Sequence, residues 1–312
     1  MKGDVKKRVG ILRGGNSENY ETSLHEGGDL ILYILEHLNN TWQPIDIFID
    51  RNEAWYVQGI LTKPAKFLQK VDVVLDTTHS NASLILESLG IPNISVKSFS
   101  LLLQKNRILL EDYVKNIGVK MPRSILLPLY QKDFDGPREK YAMKKAQEVF
   151  AKFSSPWIVR SYPPDTSMGV HVAKTFSELI NAIEDGVLHK SSILIEELIT
   201  GKIAQVHSVS HFRDEDIYSL PVIAWIKDKG VGVDNLLSEE TLEITKTVRD
   251  IYKHLGNPYY LNSNFIFNQK RGLFLTSILF TPNFKDPHFA YSCESVGIKA
   301  HDVFEHILNR AL

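Results

Sequence analysis

Apolar and polar positions run along the chain in blocks whose period changes, and each change marks an element. Val9 to Leu12 is a short apolar run closed by Arg13-Gly14-Gly15-Asn16-Ser17. Behind it Leu24, Ile31, Leu35 and Leu38 recur at helical intervals, with Ser23 and Glu26 at capping-box spacing. Ile45–Ile49 and Val71–Leu75 read as buried strands, Leu84–Leu89 as a helix stopped at Gly90, and Asn93–Val96 as a further strand. Strands alternating with helices over this first third predict a parallel sheet with both faces covered.

Leu101–Ile117 then reads as one helix capped at Gly118. Ser124–Leu127 follows as a strand, and Tyr130–Lys145 as a surface turn leading into a polar helix. Two apolar runs that end in charge, Trp157–Arg160 and Ile193–Glu197, flank the glycine-containing turn Asp165–Val170 and a helix opened by Thr175 and Glu178. Ile203–Val209 and Tyr218–Ile226 are strands by pattern, and Ser238–Leu255 is a helix stopped at Gly256. Tyr259–Phe267 and Leu273–Phe280 form a strand pair across the turn Asn268–Gly272, and Ala300–Leu312 closes the chain as a helix. The pattern divides into residues 1–98, 99–200 and 201–312.

With 312 residues, 43% of them hydrophobic, the chain is long enough for two or three ordinary cores. A net charge of −1 supplies no field for nucleic acid or anionic lipid. Lys270-Arg271, close to Phe267 and Phe274, therefore read as a solvated turn and not as a single-strand binding site. The single cysteine, Cys293, excludes a disulfide framework and a multi-cysteine zinc site. His207 and His211, four apart on a strand, are expected on one face but ~13 Å apart, too far to share a metal. No apolar run approaches the ~18 residues of a membrane span, and the four apolar residues after Met1–Arg8 are too few for a signal-peptide core. The expectation is a cytoplasmic protein with neither nucleic-acid nor membrane partners. Gly14 and Gly15 suit either an anion held on backbone N–H groups or a tight turn alone, and both readings stay open.

The order of Gly14-Gly15-Asn16-Ser17 with Ser23-Leu24, Leu89-Gly90-Ile91-Pro92, Lys105, Ser155-Pro156-Trp157-Ile158-Val159, Ser167-Met168-Gly169-Val170, Leu194-Ile195-Glu196 with Gly201, and Thr281-Pro282 resembles the D-alanine–D-alanine ligase family of the ATP-grasp superfamily. The resemblance covers nearly the whole chain. It implies an α/β fold: an N-terminal parallel-sheet domain, then central and C-terminal ATP-grasp domains. It also implies ATP, paired magnesium ions, and attack of an amine on an acyl phosphate.

The resemblance further places the family's roles on particular residues. Nucleotide contacts fall on Lys105, Arg160, Glu196 and Glu197, while the family's ribose-binding glutamate falls on Ile203. Catalytic candidates are Ser167 in the glycine-containing turn, Asn19 where the family has a glutamate for the first substrate's ammonium, and Asn262 where it has the arginine of the oxyanion. The metal ligands fall on Asn264, Ser277 and Leu279, which offer two neutral oxygens and a hydrocarbon to a cation that wants several oxygen ligands. His79 stands where the family has a histidine, and Pro221–Leu237 is too short for the family's substrate-covering insertion, leaving Lys227 and Lys229 as a solvated turn.

The expected function is therefore an impaired or inactive ligase homologue that works by binding an unidentified small molecule or protein, with no metal and no assigned cofactor. The alternative is an active ATP-dependent carboxylate–amine ligase with a rearranged site, using ATP and magnesium. A homodimer paired through the N-terminal domain is compatible with the first reading.

Overall fold

The computed structural model describes residues 6–16, 20–66, 70–78, 82–94, 98–162, 168–226, 230–232, 236–284 and 286–312. The chain forms two compact units, one of Met1–Gln104, Ile203–Asn264 and Ser277–Leu312, the other of Lys105–Lys202 and Phe265–Thr276.

The first unit begins with β1 (Lys7–Gly14), α1 (Tyr20–His37), β2 (Trp42–Ile49), β3 (Trp55–Val57), β4 (Ile60–Leu61), β5 (Val73–Asp76), α2 (Ala82–Ser88), β6 (Asn93–Ile94) and α3 (Ser98–Lys105). The sheet order is β4-β3-β2-β1-β5-β6, with β1 parallel to both β2 and β5, and β5 parallel to β6. Val9 and Ile11 face one apolar cluster and Leu12 another, so β1 is covered on both sides as the unbroken apolar runs predict. The antiparallel β3–β4 edge is an addition that the pattern did not announce. Gly14 has φ +88°, and a Cβ there would run into the Ile49 carbonyl, whose oxygen accepts from Gly15 N at 2.8 Å. The turn after β1 therefore needs glycine for its own backbone.

The second unit contains α4 (Arg107–Lys115), β7 (Ser124–Leu127), α5 (Lys132–Asp135), α6 (Arg138–Lys152), β8 (Trp157–Tyr162), β9 (Val170–Ala173), α7 (Phe176–Leu188) and β10 (Ser192–Glu197). Its sheet runs β7-β10-β8-β9 and is antiparallel throughout. Trp157, Val159, Leu179, Ile183 and Ile195 are central to its core. Thr175 and Glu178 close a full capping box on α7, as their spacing predicts. The single helix expected over Leu101–Ile117 is instead α3 and α4. Asn106 leaves helical geometry between them, and its side-chain oxygen accepts from Leu109 N at 3.0 Å, a strong N-cap within the apolar pattern.

The chain continues with β11 (Lys202–Phe212), β12 (Glu215–Ser219), β13 (Ile223–Ile226), β14 (Gly230–Gly232), α8 (Ser238–His254), β15 (Tyr260–Asn268), β16 (Gly272–Leu279), α9 (Pro287–Glu294) and α10 (Ala300–Arg310), all in the first unit except Lys202 and the β15–β16 stretch Phe265–Thr276. These strands form the sheet β14-β13-β11-β15-β16, with β12 paired to β11. The strand expected over Tyr218–Ile226 is two strands, because Pro221 has no N–H to give a ladder. His207 is buried while His211, at φ +50°, is exposed, so the expected common face is lost where the backbone leaves extended geometry. Val209, Tyr260, Phe284, Phe289 and Phe304 share one core with Val9, Leu30, Ile34 and Trp42. Cys293 lies fully inside that core, and burial pushes its thiol up to about 12, which leaves it unreactive. Among the described residues no helix is long and apolar enough to cross a membrane.

Candidate functional site

The end of β10 carries two adjacent carboxylates, and strand alternation sends them to opposite faces of the sheet. Glu196 is the partner of Ser124 on β7 and Ile158 on β8, while Arg160 projects from β8 two positions along. The Arg160 guanidinium donates to Glu196 Oε2 from Nε at 3.2 Å and from Nη2 at 3.0 Å. The other carboxylate oxygen accepts from Arg107 Nε at 2.7 Å. Arg107 has 7% of its side chain exposed and Glu196 13%, so the array is largely removed from water.

Arg107 opens α4, and its remaining donors reach the Pro122 carbonyl and the Met121 sulfur, each at 3.2 Å. The Tyr162 hydroxyl ties down this corner by accepting from Arg107 N at 3.0 Å and donating to the Lys105 carbonyl at 2.6 Å. Lys105 itself is exposed. Of the four expected nucleotide contacts, the structure joins Arg160 to Glu196 and leaves Arg160 committed to a carboxylate.

Glu197 lies on the other face, held by Arg123 from Nε at 3.0 Å and Nη2 at 2.9 Å, and by Arg271 from Nη1 at 2.6 Å and Nη2 at 3.3 Å. Burial alone raises its pKa, but hydrogen bonds from Arg123 and Arg271 outweigh burial and take the carboxyl down to about 2 from an ordinary 4.5. A carboxyl depressed in the folded state stabilises fully above about pH 4.5, and that contribution is lost as pH falls towards 2. After allowance for the exposure of Arg123 and Arg271, it amounts to roughly 1–2 kcal/mol. Glu197→Gln is therefore expected to unfold more easily than the parent at neutral pH, with the gap narrowing steadily below pH 4.5. Urea titrations at a series of pH values check this, and a gap constant with pH contradicts it.

Sequence patterns missed Arg107, Arg123, Arg271 and Tyr162. A signal existed for one of them: Arg107, Leu110 and Val114 share the buried stripe of α4, and an arginine in an apolar stripe needs a buried partner. Arg271 reaches Glu197 from the turn between β15 and β16, a contact of high sequence separation that no local pattern announces.

In the first unit the expected metal positions sit on neighbouring strands. The Asn264 amide donates to Ser277 Oγ at 3.1 Å, so Asn264 and Ser277 are brought together and bonded to each other. Leu279, two residues beyond Ser277, is 39% exposed and contributes only hydrocarbon. Asn262 is buried at 5% exposure, and its Oδ1 has no hydrogen-bond partner among the described residues. Magnesium takes near-octahedral oxygen ligands that normally include carboxylates. An amide and a hydroxyl already paired, beside a leucine, do not fit that ion. Among the described residues no group of three or more histidine, cysteine, aspartate or glutamate side chains is placed to hold a metal. Asn19, His79, Ser167, Lys227 and Lys229 lie outside the described residues.

Beyond the geometry, the chain is 24% identical over 340 residues to the D-alanine–D-alanine ligase of Christiangramia forsetii, with 99% of each chain covered. Across its whole length the chain is thus similar to D-alanine–D-alanine ligases. No family model matches it. Among solved structures it is similar to D-alanyl-alanine synthetase A from Vibrio cholerae, with a TM-score of 0.75, 16% identity and 98% of both chains covered. It is also similar to the VanG D-Ala:D-Ser ligase from Enterococcus faecalis, at a TM-score of 0.71 and 19% identity over 99% of this chain and all of that one. The ATP-grasp fold expected from the ordered motifs is therefore present in this ligase homologue.

Proposed function

We propose that this D-alanine–D-alanine ligase homologue is impaired in phosphoryl transfer and works by binding a ligand or a protein. The observation that carries the reading is the Asn264–Ser277 hydrogen bond beside Leu279, because the positions that the resemblance assigns to metal ligands hold neutral groups that satisfy each other. Phosphoryl transfer spreads negative charge over the transferring group, and its catalysis rests on cations placed against that charge. The Arg160 guanidinium supports the same reading, since a cation paired with Glu196 must give up that carboxylate before it meets a triphosphate. The buried Asn262, neutral where the family has an arginine, adds no charge for an oxyanion.

Calorimetric titration with ATP, with and without magnesium, tests the reading. Absent or weak heat that magnesium does not alter is the expected result, together with an unchanged melting temperature. Magnesium-dependent binding at micromolar affinity contradicts it and favours an active carboxylate–amine ligase with a rearranged site.

A further inference from the structure

Two polar atoms in the first unit are sealed from water and bonded to nothing among the described residues. They are Nε2 of His207 on β11, a residue 1% exposed, and Oδ1 of Asn262 on β15, a residue 5% exposed. Buried polar atoms are nearly always paired, because an unpaired one costs its full desolvation. These two are neighbours. Ser210 N donates to the Tyr259 carbonyl at 3.3 Å where β11 ends and β15 begins, and the Asn268 amide donates to the Thr200 carbonyl at 2.8 Å at the opposite ends. The strands therefore run antiparallel, and the Ser210–Tyr259 register sets His207 opposite Asn262. Alternation puts Asn262 on the face of Tyr260, whose hydroxyl lies 2.7 Å from His207 Nδ1. Opposed side chains of this kind have Cβ atoms ~4.5–5.5 Å apart. Phe289 of α9 covers the imidazole, with ring centroids 5.1 Å apart.

The protons determine what fits between them. Burial takes the His207 imidazole down to about 4 from an ordinary 6.5, against a smaller opposing effect of Asp286 and with a smaller lowering by His288. The ring is therefore neutral at neutral pH and carries one N–H. Burial also holds the Tyr260 phenol well above its ordinary 10, so it keeps its proton. Among the described residues that hydroxyl has only His207 Nδ1 as a hydrogen-bond partner. A ring proton on Nδ1 would leave the phenol proton without an acceptor. With the phenol donating to Nδ1, one bond satisfies both groups and the ring proton sits on Nε2. The Asp286 carboxylate is already engaged, accepting from Gln205 Nε2 and His288 N, each at 3.0 Å. A buried donor, Nε2–H, and a buried acceptor, Oδ1, thus stand on opposed positions without bonding to each other.

We propose that an internal water molecule joins them, accepting from His207 Nε2–H and donating to Asn262 Oδ1. Water is the smallest group that accepts and donates at one atom, and a buried water takes roughly two to four polar partners. A metal cation does not fit, because Nε2 presents a proton and not a lone pair. A carboxylate does not fit either, because it would meet the acceptor Oδ1. Tyr260, His207, the water and Asn262 then form one neutral chain of hydrogen bonds within the core. Asn262 stands where the resemblance puts the arginine of the oxyanion, so dipoles replace a charge at that position. The water follows from burial and the placing of protons, and ATP affinity has no bearing on it.

In long-range proton–nitrogen correlation spectra of the full chain with labelled histidine, at neutral pH, His207 is expected as the Nε2–H tautomer, with cross-relaxation from that proton to water. A crystal structure that shows ordered solvent is expected to place one oxygen ~2.7–3.2 Å from both Nε2 and Oδ1. The double variant His207→Phe, Asn262→Leu removes both partners together and leaves no orphan, so it is expected to keep its melting temperature. Its oxygen-17 relaxation dispersion is expected to show one long-lived water fewer than the parent. If that variant does not fold, the spectra and the crystal structure of the parent still decide the matter. An Nδ1–H tautomer, a direct bond between His207 and Asn262, an occupant larger than one oxygen, or an undiminished water count in the folded double variant each overturns the proposal.

Discussion

Glu196→Ala is expected to destabilise the unit formed by Lys105–Lys202 and Phe265–Thr276 by about 3–5 kcal/mol, the loss typical when one member of a buried ionic array is removed. The reason is the partner left behind. Arg107, at 7% exposure, would keep only the Pro122 carbonyl and the Met121 sulfur, and its charge would stay buried without a counter-ion. Arg160, at 24% exposure, can turn towards water, so Arg160→Ala is expected to cost clearly less, about 1–2 kcal/mol.

The paired replacement Arg107→Met with Glu196→Leu separates net worth from the cost of orphaning. A buried array exchanged for packed hydrocarbon is often neutral in stability, so the pair is expected to recover most of the Glu196→Ala loss. Urea unfolding followed by the fluorescence of Trp157, which lies in this unit's core, reads all of these variants. A Glu196→Ala cost below about 1 kcal/mol would mean that Arg107 finds water or another acceptor, and would remove the case that the array fixes the corner of α4.

How much of this was legible in the sequence differs between frame and site. The parallel sheet was legible because Val9–Leu12 and Val73–Leu75 are apolar without alternation, as a strand covered on both faces requires. The two strands split or re-aimed by the fold, at Pro221 and His211, follow backbone chemistry that overrides side-chain pattern. The α3–α4 break was written as Asn106 but hidden in a continuous apolar stripe. At the site, residue identity carried the absence of carboxylates at 264, 277 and 279, since a missing charge needs no coordinates to be seen. It did not carry the commitment of Arg160 and Glu196 to each other, or of Glu197 to Arg123 and Arg271. Those pairings depend on which strands are neighbours, and β7, β8 and β10 are brought together from sites dozens of residues apart.

The second large expected effect reverses the missing charge. In the triple variant Asn264→Asp, Ser277→Glu, Leu279→Asn, the unfolding midpoint is expected to rise with magnesium, while the parent chain shows no response over the same range. The side chains at 264 and 277 already approach within 3.1 Å across adjacent strands, so two carboxylates placed there face a common point. Without metal they repel, and the variant is expected to be less stable than the parent. With magnesium at a hundred times its Kd, linkage returns about 2.7 kcal/mol, because the ion binds the folded state and not the unfolded chain. Thermal unfolding with magnesium, with calcium and with EDTA reads the effect directly and needs no substrate. A midpoint indifferent to every divalent ion would show that the strands no longer present these positions as a chelate, and that the loss of the metal site lies in backbone placement as well as in side-chain identity. A magnesium response in the parent would instead mean that neutral oxygens or residues outside 264, 277 and 279 hold the ion, which contradicts the observation on which the impaired-ligase reading rests.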